Sequence, residues 1–256
     1  MKQLLQWLDK EASSELYSAQ YWNDLAVERE KPFWLTSAAD NKLVEYLNRS
    51  GLLEEFRIAV SCLENKRLLR GKILDVAAGV CWTSALLSRH PGVEQVDALE
   101  FSWHRINDLA PLVCANLTAN DEKMQRIFGS FYEIAGHRRR FYDLVFMSQA
   151  FHHADQPIRL VQECDQALKG GGAMVLIGEH LINWLRMLKR VARTALYERR
   201  LTFDFFDLFK PDNVTGDHYY RVDHYRFLFE SLGYKIEYHE SNIRNSLIIV
   251  ATKGGE

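Results

Sequence analysis

The sequence predicts an α/β fold: a mostly parallel sheet, helices on both faces, and an antiparallel pair at the C-terminal end. Two observations predict it. Short apolar runs alternate with amphipathic helical stretches from about residue 72 to residue 180, the pattern of right-handed βαβ units whose strands are covered on both faces. The last two strand-like runs, YKIEYHE (234–240) and SLIIVAT (246–252), are joined by too few residues for a crossover helix, so they must run antiparallel.

The elements follow in order. Residues 1–70 read as helices: Leu4, Leu5, Trp7 and Leu8 form one apolar stripe, Leu43, Val44, Tyr46 and Leu47 another, and Leu52, Leu53 and Phe56 continue after Gly51. KILDVA (72–77) is the first strand and ends in the small-residue turn AAGV; a helix then runs to His90-Pro91-Gly92. VEQVDALE (93–100) is the second strand, after which Ser102 is placed to cap a helix over about 103–117. KMQRIF (123–128) and YDLVFMS (142–148) are the third and fourth strands. Pro157 opens a helix to Leu168 that Gly170-Gly171-Gly172 ends, and AMVLIGE (173–179) is the fifth strand. Residues 180–220 break the rhythm and read as an insertion in a domain spanning 71–256. A helix over 222–232 stops at Gly233, and the closing pair brings the count to seven strands.

Composition narrows the function. The 256 residues, 47% hydrophobic, suit one domain with appended elements. A net charge of −2 lacks the basic excess of a nucleic-acid binder. Cys62, Cys81, Cys114 and Cys164 form no CxxC pair and stand near no histidine cluster; this argues against a zinc site or disulfide framework and for a reducing compartment, and no metal requirement is visible. MKQLLQWLDKEASSE lacks the apolar core of a signal peptide, and no apolar run approaches the ~20 residues that span a bilayer. A soluble cytoplasmic protein is expected.

The turn after the first strand is the first candidate site. Ligands of open α/β sheets bind beyond the carboxyl ends of the strands. Ala77, Ala78 and Gly79 let the backbone approach a ligand, and Asp75 stands at the strand end to orient it. Glu100 closes the second strand, where a carboxylate matches the two hydroxyls of a ribose. Turn and acid together predict a nucleoside-containing ligand.

ILDVAAGVCW, ALEFS, FGSFYEIAGHRRRFYDLVFMSQAFHHADQP and LKGGGAMVLIGE resemble, in order and spacing, the motifs of class I S-adenosylmethionine-dependent methyltransferases, nearest to the broad group acting on small molecules. The resemblance covers about 70–180 and the closing strand pair. It implies a Rossmann-like seven-stranded sheet with an antiparallel last strand, and S-adenosylmethionine as cofactor. Asp75, Ala77 and Gly79 would line its methionine end, Glu100 would bind the ribose and Phe101 flank the adenine. Ser130 and Phe131 would sit at the adenine edge. Ser148 would face methionine moiety and substrate, with Gln149 and Phe151 bordering that space. N-terminal helices often form a lid in this family, which makes Tyr21 and Trp22, in a cluster with Tyr17, Phe33 and Trp34, candidates for that role. The family's turn, D/E-x-G-x-G-x-G, keeps one glycine here: Ala77 and Cys81 replace the others. Ser130 stands where Asp is common. SQAF in place of an NPPY-like motif argues against methylation of DNA adenine or protein amides.

For substrate chemistry, His152 and His153 are candidate general bases for a hydroxyl; a packed turn is the alternative. GDHYYRVDHY (216–225) is dense in ionisable and aromatic side chains that could roof a pocket. His218 and His224 are candidate catalytic residues there, Tyr219, Tyr220 and Arg221 candidate substrate contacts, and Asp217 or Asp223 a candidate helix cap. A basic amphipathic helix over 181–201 suits an anionic membrane or substrate, or packs with its basic face in solvent. FDFFDLF (203–209) could line a pocket, cap the sheet or form a dimer contact. The expected function is transfer of a methyl group to a small-molecule or glycan-like acceptor, at oxygen, by a monomer or homodimer. The alternatives are a membrane-surface methyltransferase on a lipid-linked acceptor, a non-catalytic methyltransferase-like subunit, and, more weakly, an NAD-linked dehydrogenase.

Overall fold

The computed structural model describes residues 2–9, 19–241 and 245–254. Its strands are β1 (Leu5–Gln6), β2 (Gly71–Val76), β3 (Val93–Glu100), β4 (Met124–Phe128), β5 (Tyr142–Ser148), β6 (Leu168–His180), β7 (Tyr234–Ser241) and β8 (Ser246–Lys253). They form one sheet in the order β1-β4-β3-β2-β5-β6-β8-β7. The pairs of β8 with β6 and β7 are antiparallel and the others parallel, as the sequence predicts. Residues 242–244, within the expected β7–β8 connection, and Tyr17 of the aromatic cluster lie outside the described residues.

The sheet has eight strands rather than seven. The addition is β1, in a segment whose apolar stripe predicts a helix. Leu5 and Gln6 pair with Ile127 and Phe128, and Trp7 N donates to Phe128 O at 2.8 Å. Without β1, β4 would present a bare edge of backbone donors and acceptors. Leu4 and Leu8 pack, partly buried, on the apolar cluster around Phe128 and Cys114, while Leu5 stays exposed, so most of the stripe finds apolar contact without forming a helix.

The helices are α1 (Ala19–Trp22), α2 (Leu25–Arg29), α3 (Lys42–Arg49), α4 (Leu52–Asn65), α5 (Trp82–Ser88), α6 (Ala110–Asn116), α7 (Ile134–His137), α8 (Pro157–Ala167), α9 (Trp184–Tyr197), α10 (Phe205–Leu208) and α11 (Val222–Glu230). Period-two alternation sorts the strand residues between two cores. Leu144 and Phe146 of β5 join Leu43, Leu47, Phe56 and Leu63 of α3 and α4. Val145 and Met147 point the other way, to Leu160 and Val161 of α8 and Phe229 of α11.

Several boundaries differ from expectation. The helix after Ser102 begins with a π-helical stretch, His104–Leu109, before α6; Pro111 has no N–H to continue a regular ladder. Ser102 is not its side-chain cap, because its Oγ donates to Trp22 O at 2.9 Å. The triple glycine does not end a helix: α8 stops at Ala167 and β6 runs through the glycines with a register irregularity. The basic helix is shorter than 181–201, since the Asn183 side chain accepts from Arg186 N and starts α9 there. Neither Asp217 nor Asp223 caps α11, whose N-cap is Arg221. Among the described residues no helix is long and apolar enough to cross a membrane.

Candidate active site

A pocket of about 400 Å³ opens at the carboxyl ends of β2, β3, β5 and β6, a size suited to a small organic ligand. The β2–α5 turn forms one wall. Ala77, Gly79 and Cys81 all have positive φ, +50°, +55° and +64°. The glycine-type path is therefore kept at both positions where glycine is replaced, with the crowding that a Cβ imposes in this region. Hydrogen bonds over-determine the turn: Ala78 N donates to Leu99 O and Cys81 N to Ala78 O. Asp75 lies beneath it, fully buried, and accepts from the Thr83 and Ser84 hydroxyls while Oδ1 has no hydrogen-bond partner. Burial pushes the Asp75 carboxyl up to about 6; the two hydroxyls offset part of this and Glu100 adds to it.

Glu100 lines the next wall. Its oxygens accept from Gly79 N at 2.7 Å and Ser102 N at 2.8 Å, which aims the carboxylate into the pocket. Burial raises its pKa despite the nearby Arg105. Phe101, Phe131 and Trp22 add aromatic surface, and a smaller cavity bounded by Ser130, Phe131 and Tyr132 adjoins them.

The outer wall comes from the N-terminal helices. Arg105 donates to both oxygens of the buried Glu28 at 2.8 and 2.6 Å, and its guanidinium lies 4.7 Å from the centre of the Trp22 ring. Trp22 Nε1 donates to Thr215 O at 3.1 Å. Trp22 thus joins α1 and α2 to the segment before α11 across the pocket mouth.

The far end is polar. Ser148, Gln149, His152, His153, His180 and Asp217 line it. Gln149 has φ of +51° and packs over Gly178, where a Cβ would stand 2.6 Å from Gln149 Cγ. Glu179 Oε2 holds His152 Nδ1 at 2.9 Å. The same carboxylate accepts from Tyr225 Oη, Ala150 N and Phe151 N. Burial opposes its charge, but His152, then His180 and His153, bring its pKa below the usual value. His153 Nδ1 lies 3.0 Å from Asp217 Oδ1, and the imidazoles of His153 and His180 pack at a tilt on the central His152 ring, with ring centres 4.2 and 4.6 Å from it. Burial holds His153 and His180 below the ordinary imidazole value, His180 at about 4.

Of the residues singled out from sequence, Ala77, Gly79, Glu100, Phe101, Phe131, Ser148, Gln149, His152 and His153 meet in this one pocket. Asp75 is below it and Ser130 is in the adjoining cavity. Tyr21 stands beside the wall, its hydroxyl accepting from Lys31 Nζ, while Trp22 forms the wall. Phe151 is in the core against Tyr225 and Phe229. Within 216–225, only Asp217 lines the pocket. His218 is turned to Gly216 O, Tyr219 stacks on His180 behind it, and Tyr220 packs on Phe151. Arg221 and His224 belong to the start of α11, where Arg221 N donates to His224 Nδ1 and the His224 ring stacks on Phe206. Sequence reasoning missed Arg105 and His180; the place of His180 at the end of the fifth strand was the available signal.

Residues 74–176 match the family model described as a methyltransferase domain. No curated protein matches the chain. Among solved structures, magnesium protoporphyrin IX methyltransferase from Synechocystis PCC 6803 with bound SAH is 15% identical, with a TM-score of 0.65 over 96% of this chain and 100% of that one. The same enzyme with bound SAM gives 14%, 0.61, 96% and 98%. An S-adenosylmethionine-dependent methyltransferase from Mesorhizobium loti gives 18% and 0.51 over 71% of this chain and 90% of that one. The chain thus carries a methyltransferase domain, at residues 74–176, within the fold of the class I S-adenosylmethionine-dependent methyltransferases.

Proposed function

We propose that this methyltransferase binds S-adenosylmethionine at the Glu100 end of the pocket and methylates a hydroxyl of a small or glycan-like acceptor at the histidine end. The observation that carries the reading is the single pocket joining the two ends. The residues fit the cofactor: Glu100 is aimed and acidic for ribose hydroxyls, Phe101 and Phe131 offer faces to a purine, and the Ala77–Gly79 backbone admits a close ligand. Asp75, with one oxygen lacking a hydrogen-bond partner beneath the turn, favours a cationic amino group nearby.

S-adenosylmethionine supplies an electrophilic methyl group on a sulfonium. The chain's task is to align the acceptor and manage its proton. Alignment contributes on the order of 7–11 kcal/mol in favourable cases. The Trp22–Thr215 contact and the Glu28–Arg105 pair narrow the mouth. His152 and His153, each beside a carboxylate, are the groups suited to lowering the charge cost of a hydroxyl nucleophile. The test is a panel of monosaccharides, simple phenols and amines incubated with methyl-labelled cofactor, with products read by NMR. The reading expects methyl ethers, and a loss of roughly 10²–10⁴-fold in kcat for His152→Gln. Transfer to amines alone, or an unimpaired His152→Gln, refutes it.

A second reading, a lipid-borne acceptor, has its own observation. Trp184, Leu185, Leu188 and Leu196 of α9 are exposed, 59–76% each, beside Arg186, Lys189 and Arg193. Such a surface suits an anionic bilayer. Sedimentation with anionic vesicles at low salt tests it: failure to bind removes this reading and leaves the first.

A further inference from the structure

We propose that the histidine end of the pocket is a divalent metal site of the zinc class, formed by His152, His153 and Asp217 with His180 beside them. It rests on the methyl-transfer reading and refines it: with the ion bound, the two imidazoles would act as its ligands, and the ion in place of a histidine base would bind and acidify the acceptor hydroxyl. The binding claim itself stands on the cluster alone.

One ligand atom from each of His152, His153 and Asp217 lies within 4.8 Å of the others. Two imidazoles and a carboxylate are the donor set of many catalytic zinc and iron sites that keep a position open for water or substrate. Here that open side is the pocket. His153 Nδ1 and Asp217 Oδ1 form an ion-pair contact at 3.0 Å. Ligands about 2.0–2.2 Å from one ion stand roughly 3 Å from each other. His180 Nε2 is buried without a hydrogen bond, 4.0 Å from Asp217 Oδ2. Buried polar atoms are ordinarily hydrogen-bonded; a buried imidazole nitrogen without such a bond, beside a carboxylate already in contact with a second imidazole, fits donors directed at a cation.

The surroundings have the form that supports a metal-binding imidazole. Glu179 holds His152 Nδ1, which selects the tautomer whose lone pair is on Nε2. A metal-bound histidine is generally oriented through its other nitrogen in this way. Glu179 is fixed in turn by Tyr225 and two backbone N–H groups, so the imidazole has little freedom. The ligands come from the turn after β5 and the segment before α11, and Trp22 packs on His153 at 4.8 Å, covering one side of the cluster.

The test uses untagged full-length protein stripped with EDTA and titrated calorimetrically with ZnCl₂, then MnCl₂. The inference expects one Zn²⁺ per chain. His153→Gln and Asp217→Asn should each weaken Zn²⁺ binding by at least tenfold. Glu179→Gln, which keeps the shape but changes the partner of His152 Nδ1 and of Tyr225 Oη, should weaken it by roughly 10–100-fold. Each variant's thermal unfolding and binding of S-adenosylhomocysteine check its fold. Absence of stoichiometric binding to the wild type at 100-fold molar excess overturns the inference. So does binding that His153→Gln and Asp217→Asn, both folded, leave unchanged. Zinc binding without S-adenosylhomocysteine binding would sink the cofactor reading and keep the metal site.

Discussion

Replacing Glu28 with Gln tests how the N-terminal helices are held over the pocket. Glu28 is completely buried, paired in two hydrogen bonds with Arg105 and 3.8 Å from His104 Nε2. Burial alone would raise its pKa; His104 and Arg105 reverse this and hold it at about 2, against 4.5 for a free glutamate. At 1.36 kcal/mol per pH unit the shift corresponds to about 3 kcal/mol of stability. Because the folded-state pKa is the lower one, that stability is present above pH 4.5 and is lost as pH falls towards 2. Glu28→Gln keeps the shape and strands the Arg105 charge, a change that costs ~3–5 kcal/mol when a buried pair is broken. The two estimates agree at about 3 kcal/mol. Urea unfolding at pH 7 should show that deficit, and the deficit should shrink below about pH 4.5 as Glu28 of the unfolded wild-type chain takes up a proton that the folded chain does not. Affinity for S-adenosylhomocysteine should fall with it, since Arg105, which Glu28 of α2 holds, lines the pocket beside Trp22. A deficit under about 1 kcal/mol, or one that does not change with pH, would refute the role given to this pair.

Asp75 should show the opposite pH dependence. Its folded-state pKa, about 6 against 3.8, means its stability contribution is present below pH 3.8 and lost as pH rises through about 6. Cofactor-free Asp75→Asn should therefore unfold at a higher temperature than wild type at pH 8 yet bind S-adenosylmethionine more weakly; lower stability at pH 8 contradicts this. Ala77→Gly removes a Cβ from a residue with φ of +50°. The relief of ~1–2 kcal/mol is offset by about 0.5–1 kcal/mol of chain entropy, so denaturant unfolding should show a neutral to mildly stabilised variant; a clear loss would mean the side chain itself is needed.

The sheet was legible because each strand from β2 to β6 is a short apolar run ended by turn residues, a signal that survives without tertiary context. β1 was not: two residues carry no period, and only the bare edge of β4 makes them a strand. Ala77, Gly79 and Glu100 were legible because they sit at strand ends, where topology alone gathers them. Cys81 hid its left-handed backbone behind a bulky side chain. The Glu28–Arg105 pair and the Asp217–His153 contact join segments far apart in sequence, and no local pattern announces either one. His224 and Arg221 misled for the complementary reason: the chemistry of GDHYYRVDHY is dense, but most of it is used to start α11 and fill the core, and only Asp217 turns to the pocket.

The central claim, that the turn at 77–79 and Glu100 form a cofactor site, is tested most directly by calorimetry with S-adenosylhomocysteine on wild type and Glu100→Gln. The account predicts one site per chain in the wild type. It also predicts at least tenfold weaker binding in the variant, in keeping with the ~1.5–3 kcal/mol of a hydrogen bond to a charged group. No heat of binding to wild type at millimolar ligand, or equal affinity of the two proteins, would contradict it.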